Sequence, residues 1–243
     1  MSYGKTTSAK GFTLIEILIS LSLFLIVILA SLEFLMTVKD HFFNLKKVQE
    51  SNIAAFAALD KMRMDFQDSG QGLLIPQRLG IVSCVELDGE RISVRKKDKD
   101  LALLDDLTAG STRLSLHSTS GVKKGQEIIV HDGHKGETAA ILSVDKTGVV
   151  FASPISFSYS KMISEVIVVK QTSFYLDHKS LILRRKVNSS PAQPLLEGAE
   201  TVVFTYETPS NLINASVTTS EDKTYEISIF PKNLYLANPQ TTE

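Results

Sequence analysis

Residues 11–35 read GFTLIEILISLSLFLIVILASLEFL. From Phe12 to Leu32 the only charged side chain is Glu16. A run of about 20 apolar residues is long enough to cross a hydrocarbon core of ~30 Å as a helix. A carboxylate in such a helix costs about 2.5–3.5 kcal/mol at its centre on insertion scales. The cost is lower near an end, and such residues usually have a partner. The fold and the function both turn on what Glu16 is for.

Three readings compete. A secretory signal peptide has an apolar region of about 7–15 residues and a small-residue cleavage site. This run is longer, and Ala30-Ser31 is a poor match to that site. An ordinary membrane anchor fits the length and leaves Glu16 unexplained. The third reading includes what comes before. Met1 to Gly11 is short, polar and basic, with Lys5 and Lys10 and no acid. Gly11, Phe12 and Thr13 follow, and Glu16 lies four residues beyond Phe12.

This arrangement resembles the class III leader of the type IV pilin-like superfamily. The resemblance implies that a prepilin peptidase cuts between Gly11 and Phe12. It implies that Phe12 becomes the N-methylated N-terminus and that Glu16 is the fifth-position glutamate. A cationic amine at a helix N-terminus attracts a carboxylate. Glu16 of one subunit pairing with the Phe12 amine of a neighbour would neutralise two charges that are costly at membrane depth.

Between Glu33 and Ser69 there is no glycine or proline. Phe42, Leu45, Val48, Ile53, Phe56, Leu59, Met62 and Phe66 recur at mostly helical steps, which predicts an amphipathic continuation packed by one stripe. Gly70, Gly72 and Pro76 mark its stop. From Leu79 the pattern becomes short β-like runs. A hairpin is expected at Asp88-Gly89, and the charge run Lys96 to Asp100 reads as a solvated loop. Strand signals crowd residues 111–160, suggesting a small barrel or meander. The expected architecture is α+β, a pilin-like fold with a long N-terminal helix on an antiparallel sheet. The expected divisions are a leader at 1–11, a transmembrane and filament-core helix at 12–33 and its amphipathic continuation at 34–70. A β-rich globular region follows at 71–243, with a possible inserted module at 111–160.

Weaker matches narrow the resemblance. QESNIAAFAALDKMRMDFQDSGQGL, GVKKGQEIIVHDG and SLILRRKVNSSPAQPLLEGAETVVFTYE are similar to stretches of PilW-like minor pilins. A J-like minor pseudopilin of type II secretion is the runner-up, and a competence pseudopilin for DNA uptake is third. The resemblance implies other minor pilins, the major pilin, the peptidase/methylase and an inner-membrane assembly platform as partners. It implies a single-pass inner-membrane protein with its globular domain in the periplasm, then a place in a filament. A membrane-anchored binding module or enzyme is the alternative from another class.

Other chemistry is sparse. Net charge is −1 with 22% charged residues, so no global basic field points to nucleic acid. Cys84 is the single cysteine and sits among apolar neighbours, as a small buried hydrophobe does. His131-Asp132-Gly133-His134 reads as a hairpin turn rather than a metal site. Arg184, Arg185 and Lys186 read as a solvated strand face. Neither HExxH, a Walker A loop, GxSxG nor CxxC occurs. The reading calls for no cofactor, no metal and no catalytic residue.

Overall fold

A computed structural model describes residues 13–234. Lys5, Lys10, Gly11 and Phe12 lie outside the described residues. The chain divides into two units, Met1–Ile53 and Ala54–Glu243.

The first unit is the N-terminal part of helix α1 (Leu14–Gln67). Its apolar side chains from Leu14 to Val38 are exposed. The hydroxyls of Ser22, Ser31 and Thr37 donate to the carbonyls of Leu18, Val27 and Glu33, four residues back, at 2.8, 2.7 and 3.0 Å. These polar groups are satisfied within the helix, as a hydrocarbon surrounding requires.

The second unit is mixed α+β, with the C-terminal turns of α1 packed on antiparallel sheet. Ala55, Ala58, Leu59, Met62 and Phe66 form the buried stripe at helical spacing. This corrects the predicted stripe. Phe42, Leu45, Val48, Ile53 and Phe56 are exposed, and two alanines take the start of the buried face. Small side chains there let the helix approach the sheet closely. Gly70 follows the helix with φ +79° and donates its N–H to Arg95 O at 2.8 Å. A Cβ on Gly70 would lie 2.5 Å from Asn233 O. A short helix, α2 (Leu74–Arg78), then carries Pro76 in its first turn, where proline is tolerated.

Strands β1 (Val85–Asp88) and β2 (Arg91–Leu101) form the expected hairpin, with Asp88 opposite Arg91. The run Lys96 to Asp100 belongs to β2 and is not a loop. A bulge between Lys97 and Lys99 accommodates it. Its charges are used: Lys96 bonds Asp68 at 2.6 Å and Lys97 bonds Asp100 at 2.9 Å. The strands that follow are β3 (Arg113–Ser115), β4 (Glu127–His131), β5 (Gly136–Val144), β6 (Gly148–Phe151) and β7 (Glu165–Asp177). Next come β8 (Ile182–Val187) and β9 (Gln193–Glu197). A separate meander is formed by β10 (Ala199–Glu207), β11 (Leu212–Thr219) and β12 (Thr224–Ile229).

β7 is the spine. One edge pairs with β2 along most of its length. The other edge is shared, with β4 on Glu165–Val169 and β8 on Thr172–Asp177. Asn188 closes the notch between them. It adopts φ +47°, donates its N–H to Gln171 O at 2.8 Å and accepts the Gln171 N–H on Oδ1 at 2.7 Å.

Around β7 the sheet curls shut. Its order is β2-β7-β4-β5-β6-β3. Past Leu101 the chain returns to β3 through the Leu103–Leu116 bridge, with Leu104 N–H donating to Ser115 O at 3.0 Å and His117 N–H to Ala102 O at 3.1 Å. Strands β3 to β7 send Leu114, Ile128, Ile141, Phe151 and Val168 inward, and Leu103, just past the end of β2, joins them. Tyr159 and Ile155 belong to the same core.

On β4 and β7 the intervening residues, Ile129, Ile167 and Val169, belong to the other core, under α1. These two strands are therefore buried on both faces. That is why EIIVH and EVIVVK read as unbroken apolar runs. Residues 111–160 contribute most of the barrel, which also draws on Leu103, Leu107, Val166 and Val168.

Candidate functional site

The candidate site is the first turn of α1. Thr13 is the residue before Leu14, where the helix begins. Its N–H donates to Glu16 Oε2 at 2.8 Å, and its hydroxyl donates to the same oxygen at 2.9 Å. Glu16 N–H lies 3.4 Å from Thr13 Oγ1. The arrangement is a capping box, Thr-x-x-Glu, which satisfies N–H groups that a helix start leaves unpaired. The carboxylate also faces the positive end of the helix dipole.

Glu16 is thus partly satisfied within its own chain. Both Thr13 bonds fall on Oε2, and among the described residues Oε1 has no partner. The sequence reading singled out Glu16 and passed over Thr13. The Thr-x-x-Glu signal ahead of an apolar run was there to find it.

The other singled-out residues separate. His131 ends β4 and is buried, 3.6 Å from Glu165. Asp132 caps the following turn by accepting the N–H groups of His134 and Lys135. The Lys135 bond first, then that of His134, holds the Asp132 carboxyl below its ordinary range. Among the described residues no group of three or more His, Cys, Asp and Glu could hold a metal ion. Cys84 is buried, and burial pushes its thiol up to about 12, so it is inert as a nucleophile at neutral pH.

Arg184 and Arg185 are not a free solvated face. Arg184 bonds Asp177 at 2.8 Å. Arg185 forks onto Asp65 of α1 at 2.6 and 3.2 Å, with both side chains largely buried. That pair fixes the register of the helix on the sheet.

Residues 6–32 match the family described as the prokaryotic N-terminal methylation motif. The match spans Gly11, Phe12, Thr13, Glu16 and the apolar run. No curated protein matches the chain. A solved structure with slight likeness is the Gp54 tailspike of Acinetobacter baumannii bacteriophage AP22 in complex with A. baumannii capsular saccharide. It is 16% identical over 32% of this chain and 15% of that one, with a TM-score of 0.28, and carries no argument. The apolar span has a mean hydropathy of 2.7 and is wholly exposed in this chain, in keeping with membrane anchoring. The N-terminal segment is a type IV pilin-like class III signal, the kind that marks a pilin- or pseudopilin-type substrate for prepilin peptidase.

Proposed function

We propose that this chain is a minor pilin of the PilW-like kind, which helps to start assembly of a type IV pilus and is incorporated near its tip. It is a structural subunit and not an enzyme. Prepilin peptidase cuts between Gly11 and Phe12, after Lys5 and Lys10 have helped to hold the leader on the cytoplasmic side. The Phe12 amine is then N-methylated. Before assembly the chain is a single-pass inner-membrane protein with the second unit in the periplasm. Its partners are other minor pilins, the major pilin and the inner-membrane assembly platform.

The observation that carries this reading is the split role of the Glu16 carboxylate. Oε2 caps its own helix through Thr13, and Oε1, without a partner among the described residues, can accept from a donor outside the chain. A neighbouring subunit's Phe12 amine supplies such a donor and a compensating charge. Pairing the two favours one register of subunits in a helical bundle over others.

The test is mass spectrometry of the protein extracted from membranes. A chain beginning at N-methyl-Phe12 is expected. A product that keeps Met1, or begins near Ser31, overturns the proposal.

A further inference from the structure

Where β4 gives way to β8 along β7, the notch closed by Asn188 opens outward as a polar cleft of about 230 Å³. It lies at the end of the barrel, between the bulged part of β2, the turn that leads into β4, and the loop after β8. We propose that this cleft is a binding site for a single small oxyanion group, a carboxylate, sulfate or phosphate.

The polar groups lining it are mostly donors. Lys170 projects from the middle of β7, and Lys123 from the turn before β4. Among the described residues neither ammonium is in an ion pair. Gln126 is 6% exposed. Its Oε1 accepts the Lys123 N–H at 2.7 Å, which orients the amide, and among the described residues its NH₂ end has no partner. That end of the amide faces the cleft and is open to a ligand. The Ser190 hydroxyl lines the same cleft and, among the described residues, makes no side-chain hydrogen bond. The Asn188 side-chain oxygen is already taken by Gln171 N–H, so it adds no free acceptor.

Asp98 is the one carboxylate on the lining, placed there by the β2 bulge. The balance is two cations, one anion and two uncharged donors, which suits an acceptor-rich anionic group. The volume falls below the roughly 300 Å³ at which sites for drug-sized ligands begin. It therefore suits one charged group and not an extended molecule. The strands that carry Lys170 and flank Gln126 are fixed by two apolar cores, so the donors are pre-organised.

The test uses the full chain in detergent micelles. Amide NMR shifts of Gly121, Gln126, Asn188 and Ser190 are followed while malonate, sulfate or phosphate is added, with uncharged malonamide as control. At least one anion is expected to give saturable shifts, and malonamide none. Which anion binds tightest tells a carboxylate-bearing ligand from a sulfated or phosphorylated one. The double variant Lys123→Gln/Lys170→Gln should bind about tenfold or more weakly, as loss of charged hydrogen bonds implies. Asp98→Asn should bind about two- to fivefold more tightly, by the usual worth of an exposed charge pair. The proposal is overturned if none of the three anions gives saturable shifts. It is also overturned if the double variant, with a dispersed native spectrum, binds as the wild type does.

Discussion

Thr13 and Glu16 share one carboxylate oxygen between two donors, the Thr13 N–H at 2.8 Å and its hydroxyl at 2.9 Å. The residue that first stands out as a charge misplaced in a membrane helix is the last part of that helix's own cap. The capping contact lowers the cost of placing Glu16 in an apolar helix, and on the proposed function it leaves the other carboxylate oxygen for a neighbouring subunit. We expect Glu16→Ala to leave cleavage at Gly11 intact and to lower the share of the protein that co-purifies with sheared pili. Recovery equal to wild type would remove the assembly role.

Thr13→Ala separates capping from assembly. Loss of a Thr cap costs about 0.5–2 kcal/mol of helix stability. The variant keeps the carboxylate and loses the hydroxyl that holds Oε2. It should fray the first turn, seen as faster amide exchange of Leu14 to Ile17 in micelles. It should still enter filaments better than Glu16→Ala. If the two variants are equally excluded, the cap itself is what assembly needs.

Asp65 and Arg185 lie 120 residues apart and meet in a largely buried fork. Removing one partner of such a pair strands the other charge, at about 3–5 kcal/mol. Arg185→Met should therefore lower the melting temperature of the full chain in micelles markedly. The double variant Asp65→Leu/Arg185→Met should recover much of the loss, because both charges are gone and apolar surface replaces them. A double variant no more stable than the single one would mean that the fork is wanted for more than charge balance.

The long helix and its signal were legible because helical periodicity, charge placement and the Gly-Phe junction are local features. The end of the helix was legible for the same reason, from Gly70 and Gly72. The predicted stripe misplaced its start because Phe42, Leu45 and Val48 are larger and more apolar than Ala55 and Ala58. Close packing against the sheet selects the alanines over the larger side chains. Lys96 to Asp100 reads as a loop in sequence because strand membership there is decided by pairing with β7, about 70 residues away, across a bulge within the run. The Asp65–Arg185 fork and the closure of Leu103 onto Leu116 are long-range for the same reason. Thr13 differs, since its Thr-x-x-Glu signal is wholly local.

Gly148 gives a test of the barrel. A Cβ there would lie 2.2 Å from the Leu114 carbonyl oxygen, a backbone atom that cannot swing aside. Gly148 begins β6 and pairs with Ser115 of β3. Gly148→Ala should push these strands apart and destabilise the chain by about 1–3 kcal/mol, the usual range for overpacking. The loss would show as a lower melting temperature and as faster exchange of Leu114 and Val149 amides. Unchanged exchange at both would mean that the two strands are not in the close contact described.

Acid should loosen the second unit at identifiable turns. The N–H of Thr147 first, and Arg113 next, hold the Asp145 carboxyl below its ordinary value of 3.8. Ser180 and then Arg184 do the same for Asp177. A carboxylate whose folded value is depressed contributes its full stabilisation above the unfolded value, and loses it as pH falls through the folded one. The melting temperature should therefore hold from neutral pH down to about 4, an ordinary carboxylate value, and fall below it. Asp145 is exposed and Asp177 half-buried, so water and salt screen the effect, and the drop should be shallow and smaller at high ionic strength. Asp145→Asn and Asp177→Asn together should flatten the acid limb by lowering stability at neutral pH toward the acid value. An acid limb of unchanged depth in that double variant would assign the pH dependence to other carboxylates.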